Sequence, residues 1–174
     1  NHTNPELVIN PLSCDGDKFA FVTSDLYNGN LGGISGGDAI CQAHAKEADL
    51  PGRYLAWLSD DTDSPLTRFN RITTNYNLVN GTVVANGWND LIDGSLDNSI
   101  IVTETGSTIL ANHEVWTGTN SDGTKDRNHC SNWEINAASI SARHGFDNAT
   151  STIWTEDRTL STCDNAYRLF CVQQ

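Results

Sequence analysis

Five cysteines, at positions 14, 41, 130, 163 and 171, constrain this chain more than any other feature. None has the two-residue spacing of a zinc ribbon or a redox dithiol, so thiolate metal chemistry is disfavoured. Wide spacing in a chain rich in Asn, Thr and Ser reads instead as disulfides made in an oxidising compartment. Four cysteines permit three pairings and five permit more, so spacing alone does not choose among them. One cysteine must be left over.

The length of 174 residues suits one well-formed core. Hydrophobic residues at 37% against 18% charged favour a loop-rich globular domain over a helical bundle or a disordered chain. A net charge of −12, with the few Lys and Arg scattered, offers no basic stripe for phosphates. Nucleic acid and polyanionic partners are therefore disfavoured. No apolar run approaches the roughly 20 residues that span a bilayer, so no membrane insertion of this segment is expected. Residues 1 to 12 lack the pattern of a signal peptide, and no Met occurs anywhere. The chain reads most simply as a processed or excised portion of a longer secreted or surface precursor.

Lys18 to Thr23 has strand-forming residues and ends in a turn cluster. Ala39 to Asp49 has near-helical apolar spacing, with Ser35 or Asp38 available as cap and Pro51-Gly52 as stop. Tyr54 to Ser59 reads as a short buried strand, and a small helix is expected within Leu66 to Arg71. Asn80-Gly81 is a strong hairpin signal because both positions tolerate positive φ. Trp88, Leu91 and Ile92 fall at helical spacing, with Asn86 as cap and Gly94 as stop. Further strands are expected at Ile100 to Val102, Glu114 to Gly118, Thr152 to Thr155 and Ala166 to Val172.

The run NLGGISGGDAICQAHAKEADLPGRYLAWLSD at 30 to 60 resembles the opening of endostatin, the C-terminal domain of collagen XVIII. It is more similar still to a family of uncharacterised secreted bacterial domains with the same pattern. VWTG at 115 to 118, Cys130 with Trp133, and CDNAYRLFC at 163 to 171 continue the resemblance in order. The resemblance covers about residues 17 to 172. It implies an α+β, C-type-lectin-like fold with a twisted antiparallel sheet, two helices and nested disulfides. It further implies the pairs Cys41–Cys171 and Cys130–Cys163, leaving Cys14 free or intermolecular. The expected organisation is an N-terminal extension over 1–16 and a domain over 17–174.

Trp88-Asn89-Asp90 matches the tripeptide of calcium-dependent lectins, but in the family pattern that tripeptide precedes the third nested cysteine. Here it precedes even the second, Cys130. A helical position with Trp88 as core anchor and Asn89 and Asp90 toward solvent is the reading we adopt. Ile153 to Arg158, at the corresponding place, departs from the motif.

The richest cluster of side-chain oxygens is Asn120 to Asp126, and oxygen donors suit calcium. Asn120, Asp122 and Asp126 are its candidate ligands, and Trp133 and Glu134 extend the candidate ligand site. An ordinary Asx-stabilised turn is the competing account. Asp60, Asp61 and Asp63 read as solvated loop charges. The five histidines lack the spacing of a zinc pair, and Asn1-His2-Thr3-Asn4 does not reproduce endostatin's N-terminal histidine pattern. No nucleophile elbow or metalloprotease motif appears, and the Asp15-Gly16-Asp17 setting of Cys14 disfavours a reactive thiolate, so no catalysis is expected. The expected function is a non-catalytic extracellular module for glycans or for host or prey surface molecules. The alternative is a structural tip or scaffold domain without a ligand. The sequence leaves the oligomeric state open.

Overall fold

The computed structural model describes residues 16–174. Cys14, and all of the expected extension but Gly16, lie outside the described residues.

A mixed sheet of eight strands organises the chain. Its strands are β1 (Lys18–Val22), β2 (Tyr54–Ala56), β3 (Tyr76–Asn77), β4 (Val83–Ala85), β5 (Glu114–Trp116), β6 (Ser141–Phe146), β7 (Leu160–Thr162) and β8 (Arg168–Gln173). The order is β4-β3-β1-β8-β5-β6-β7, with β2 also on β8. Central β8 runs antiparallel to β1 and β2 and parallel to β5. Leu169-Phe170-Cys171-Val172 is a continuous apolar run, as a strand covered on both faces requires.

Side chains alternate along a strand, so β8 feeds two cores. Phe170 and Val172 pack with Ala20, Val22, Leu55, Trp57 and Trp88. Leu169 and Cys171 pack with Phe21, Tyr54, Ala56, Trp116 and Trp133, beneath helix α1 (Gly33–Glu47). Two further short helices are α2 (Pro65–Arg68) and α3 (Trp88–Leu91).

Two disulfides fasten this framework: Cys41–Cys171 joins α1 to β8, and Cys130–Cys163 lies inside the span the first one closes. These are the pairs implied by the resemblance. Their sequence separations of 130 and 33 residues remove conformational freedom mainly from the unfolded chain.

Several local expectations change. α1 begins at Gly33, six residues before the first expected helical position, Ala39. Glycine disfavours a helix by roughly 1 kcal/mol against Ala, but a Cβ on Gly37 would lie 2.7 Å from Leu58 Cδ1. The close approach of helix to sheet thus overrides propensity. Asp38, expected as a cap, accepts the Ala56 N–H at 2.9 Å and pairs with Arg68 at 2.8 Å.

Ile100 and Val102 are buried, but the segment makes only isolated bridges, Val22 to Thr103 and Val102 to Thr108. Thr152–Trp154 is a single 3-10 turn rather than a strand, and it delivers Trp154 into the core. β6 and β7 are strands beyond the expected set, because Ser-Ala-Arg-His-Gly-Phe and Leu-Ser-Thr lack large apolar residues at period two. The Asn80-Gly81 turn is present, closed by Leu78 N–H to Thr82 O at 2.8 Å. Among the described residues no helix is long and apolar enough to cross a membrane.

Candidate functional site around Asp61 and the long loop

Beyond β5 the chain leaves the sheet as a long polar loop, and buried hydroxyls hold its first residues. Thr119 shares a hydrogen bond with Ser59 at 2.7 Å, and its carbonyl accepts from Thr155 at 3.1 Å. Trp57 Nε1 donates to that same Thr155 hydroxyl at 2.7 Å. The loop therefore starts from a satisfied polar layer, which favours a single conformation.

The segment 120–124 is a tight turn. Asn120 N–H donates to Thr124 O at 2.9 Å, and Asp122 Oδ1 accepts the Thr124 N–H at 3.0 Å. Asp126 accepts from Asn128 N–H at 2.8 Å on one oxygen and meets Arg143 at 3.0 Å with the other. Burial raises the pKa of Asp126, but the Asn128 donors and Arg143 outweigh it and hold the carboxyl below its ordinary range. Of the candidate calcium ligands, Asn120 and Asp122 are thus both engaged with Thr124, and Asp126 with Asn128 and Arg143. Among the described residues no group of three or more His, Cys, Asp and Glu is arranged to hold a metal ion.

Trp133 is fully buried, and its indole N–H donates to Ser59 O at 2.8 Å. As a candidate ligand-binding residue it is corrected: no aromatic face is left for stacking. Glu134 is exposed.

The unusual feature lies between them. Cys130, Ser131, Asn132 and Trp133 have φ of 50°, 49°, 62° and 62°, a single left-handed helical turn built without glycine. Such a conformation costs roughly 1–2 kcal/mol per residue. The surroundings hold it in place: the Cys130–Cys163 bond at one end, buried Trp133 at the other, and Trp133 N–H to His129 O at 2.8 Å. Asn132 N–H also donates to His129 Nδ1 at 2.9 Å. That contact makes Nδ1 an acceptor, so in neutral His129 the proton sits on Nε2 and is donated to Asp61 Oδ1 at 3.2 Å.

Asn132 completes the bracket, its Oδ1 accepting the Asp61 N–H at 3.0 Å and its Nδ2 donating to Asp61 Oδ2 at 3.1 Å. Lys125 Nζ donates to the Asp61 carbonyl. The Asp61 side chain nonetheless keeps 71% of its surface exposed. In the adjacent Asp60, burial raises the carboxyl pKa, but the backbone N–H groups of Asp63 and Thr62 outweigh it and bring it below the ordinary range. Asp61, Lys125 and Asn132 thereby form a hydrogen-bonded polar edge, which exposed Ser131 and Glu134 flank along the chain. The sequence marks Asp61 only as a solvated loop charge and His129 only as a histidine without a zinc-pair spacing, and nothing in it brings either to Asn132. The sole local hint is Asn132, a residue type that tolerates left-handed φ.

A second histidine–carboxylate pair ties α1 to two loops. His44 Nδ1 meets Glu104 Oε1 at 2.8 Å, and Nε2 meets the Tyr27 hydroxyl at 2.7 Å. Ser24 donates to both Glu104 oxygens, from its N–H at 3.1 Å and from its hydroxyl. The Glu104 hydrogen bond raises the His44 pKa despite burial. In Glu104, burial acts upward, but His44 and Ser24 outweigh it and the net shift is downward. Burial and the nearby Asp25 and Glu104 push Tyr27 up to about 12. Both members of the pair are satisfied within the fold, which suits a clasp.

A family model described as Protein of unknown function (DUF1554) matches residues 24–152 of the chain. No curated protein matches it.

Proposed function

The chain belongs to that DUF1554 family, and on this premise we propose that it is a non-catalytic extracellular binding module with a C-type-lectin-like, endostatin-like fold. Its contact surface is the polar edge of Asp61, Lys125, Ser131, Asn132 and Glu134, and its ligand is a glycan or a protein presenting polar groups. One observation carries the reading. An exposed carboxylate accepts two hydrogen bonds, from His129 and Asn132, while the Asp61 N–H makes a third to Asn132 in a four-residue left-handed turn, and strained backbone recurs where a fold holds side chains ready for a ligand. Preorganised groups lose little conformational entropy on binding. Two disulfides support an extracellular setting, and the nested pairing with α1 tied to the last strand supports the lectin-like comparison.

A glycan array and a panel of matrix proteins, probed with and without calcium, test the proposal. Binding should fall at least tenfold in Asp61→Ala and in Asn132→Ala while the unfolding midpoint of Asp61→Ala barely moves. Failure to bind any probe, or binding indifferent to both substitutions, would sink it. Calcium dependence would return Asn120, Asp122 and Asp126 to the site as ion ligands; its absence would leave hydrogen bonding alone.

A further inference from the structure

Seven residues of the 71–73 and 86–89 segments line a surface cleft of about 290 Å³, separate from the Asp61 edge. This is the place of Trp88-Asn89-Asp90, the tripeptide that the cysteine order removes from a calcium-lectin role. The two segments are stapled where Trp88 N–H donates to Ile72 O at 2.8 Å. Gly87 makes this approach possible: its φ is 91°, and a Cβ there would lie 3.1 Å from Ile72 O and 3.2 Å from Thr73 Cα. Trp88 is 4% exposed, with its ring 6.3 Å from both Trp57 and Phe69. The wall it forms is therefore as rigid as the core behind it.

The polar groups around the cleft have a definite chemistry. Arg71 is exposed and gives one N–H to Leu66 O at 3.0 Å, which restrains the guanidinium on one side. Arg68 and Arg143 pair with carboxylates, but Arg71 has no such pair among the described residues. It is the one cation in a lining without any acid, in a chain of net charge −12. Asn86 commits its N–H to Asp90 at 2.7 Å and its Nδ2 to Asp97 at 3.0 Å. Those carboxylates are thereby engaged, and the Asn86 carbonyl oxygen is left as an acceptor. Thr73 and Asn89 are exposed and add a hydroxyl and a carboxamide.

We propose that this cleft binds a small hydroxylated carboxylate, with Arg71 taking the carboxylate and Asn86, Asn89 and Thr73 the hydroxyls. A guanidinium pinned on one side retains N–H groups for a carboxylate, and such charge-assisted bonds are the strong ones. The volume lies at the lower edge of the roughly 300–1,000 Å³ typical of ligand pockets, which fits one ring-sized molecule.

The test is a titration of the isotope-labelled 174-residue chain, followed by NMR, with sodium D-glucuronate, D-glucose and sodium chloride at matched ionic strength. Glucuronate should give saturable shifts at the Trp88 indole and the Asn86 and Asn89 amides. Glucose should bind at least tenfold more weakly. Arg71→Ala should weaken glucuronate tenfold or more, Arg71→Lys by less, and exposed Asn89→Ala provides a second variant should Arg71→Ala fold poorly. Asp61→Ala should leave this titration unchanged, so failure here is distinguishable from failure of the long-loop proposal. Equal affinity for glucose and glucuronate, an unchanged titration in both Arg71→Ala and Asn89→Ala, or no saturable shift up to tens of millimolar would overturn the assignment.

Discussion

Asp61 with His129 and Glu104 with His44 are the same chemical pair placed in opposite settings. The contacts are 3.2 Å and 2.8 Å, but the Asp61 side chain keeps 71% of its surface and the Glu104 side chain 6%. Buried Glu104 has both oxygens satisfied inside the fold, as a carboxylate out of water must. Asp61 is held by His129 and Asn132 yet retains lone pairs that face solvent. Burial turns such a pair into a clasp; exposure leaves the Asp61 carboxylate accessible, which the recognition role proposed for it requires.

The largest contrast should appear on deletion. Glu104→Ala strips His44 and Ser24 of their buried partner and should cost about 3–5 kcal/mol in denaturant unfolding. Asp61→Ala, at the surface, should cost less than about 1 kcal/mol. Equal losses would erase the distinction between clasp and recognition group.

Next, Cys130→Ala with Cys163→Ala should cost about 2–4 kcal/mol. The loss should concentrate at the long loop, with amide exchange at Asn132 and Glu134 accelerating before that of β8. Uniform acceleration would show that the left-handed turn does not depend on this disulfide.

The pH profile sharpens the comparison further. Because the folded His44 pKa is raised, its contribution is full below the unfolded value of about 6.5 and is lost as pH rises through the folded value. Because that of Glu104 is lowered, its contribution is full above about 4.3 and is lost as pH falls through the folded value. The stability difference between wild type and Glu104→Gln should therefore peak between about pH 4.3 and 6.5. Growth of that difference above pH 7 would contradict the assignment. A third carboxylate, Asp147, shows what missing donors do. It is fully buried and meets His113 at 2.6 Å, but one oxygen lacks a partner, and burial pushes its pKa up to about 6. Its ionisation should therefore erode stability as pH rises from about 4 to 6, a trend that Asp147→Asn should remove.

The smallest effect is expected at Ser131→Gly. Glycine adopts positive φ freely, so relief of one left-handed residue should stabilise the fold by about 1 kcal/mol or less after its entropy cost. Destabilisation there would mean that Ser131 makes a contact worth more than its strain.

Part of this architecture was legible in the residues. The apolar run at β8, the Asn80-Gly81 turn and the α1 periodicity are local patterns, and local chemistry suffices to read them. β6 and β7 were not legible because their inward positions are filled by Ala142, His144 and other residues without strand character. Their pairing depends on partners far along the chain.

For the site, the sequence by itself located the long loop, through its density of Asn, Asp and Gly, and assigned Trp88 to the core through helical spacing. It also determined the net acidity, which disfavours polyanionic partners, because charge is a sum over residues and needs no fold. Only the tertiary structure decided that Trp133 is buried, that Asp61 meets His129 and Asn132 across about 70 residues of chain, and that 71–73 and 86–89 enclose a cleft. The reason is physical. Left-handed backbone at Cys, Ser and Trp has no local preference to announce it, and it persists only because a disulfide, a buried indole and a distant aspartate hold it together.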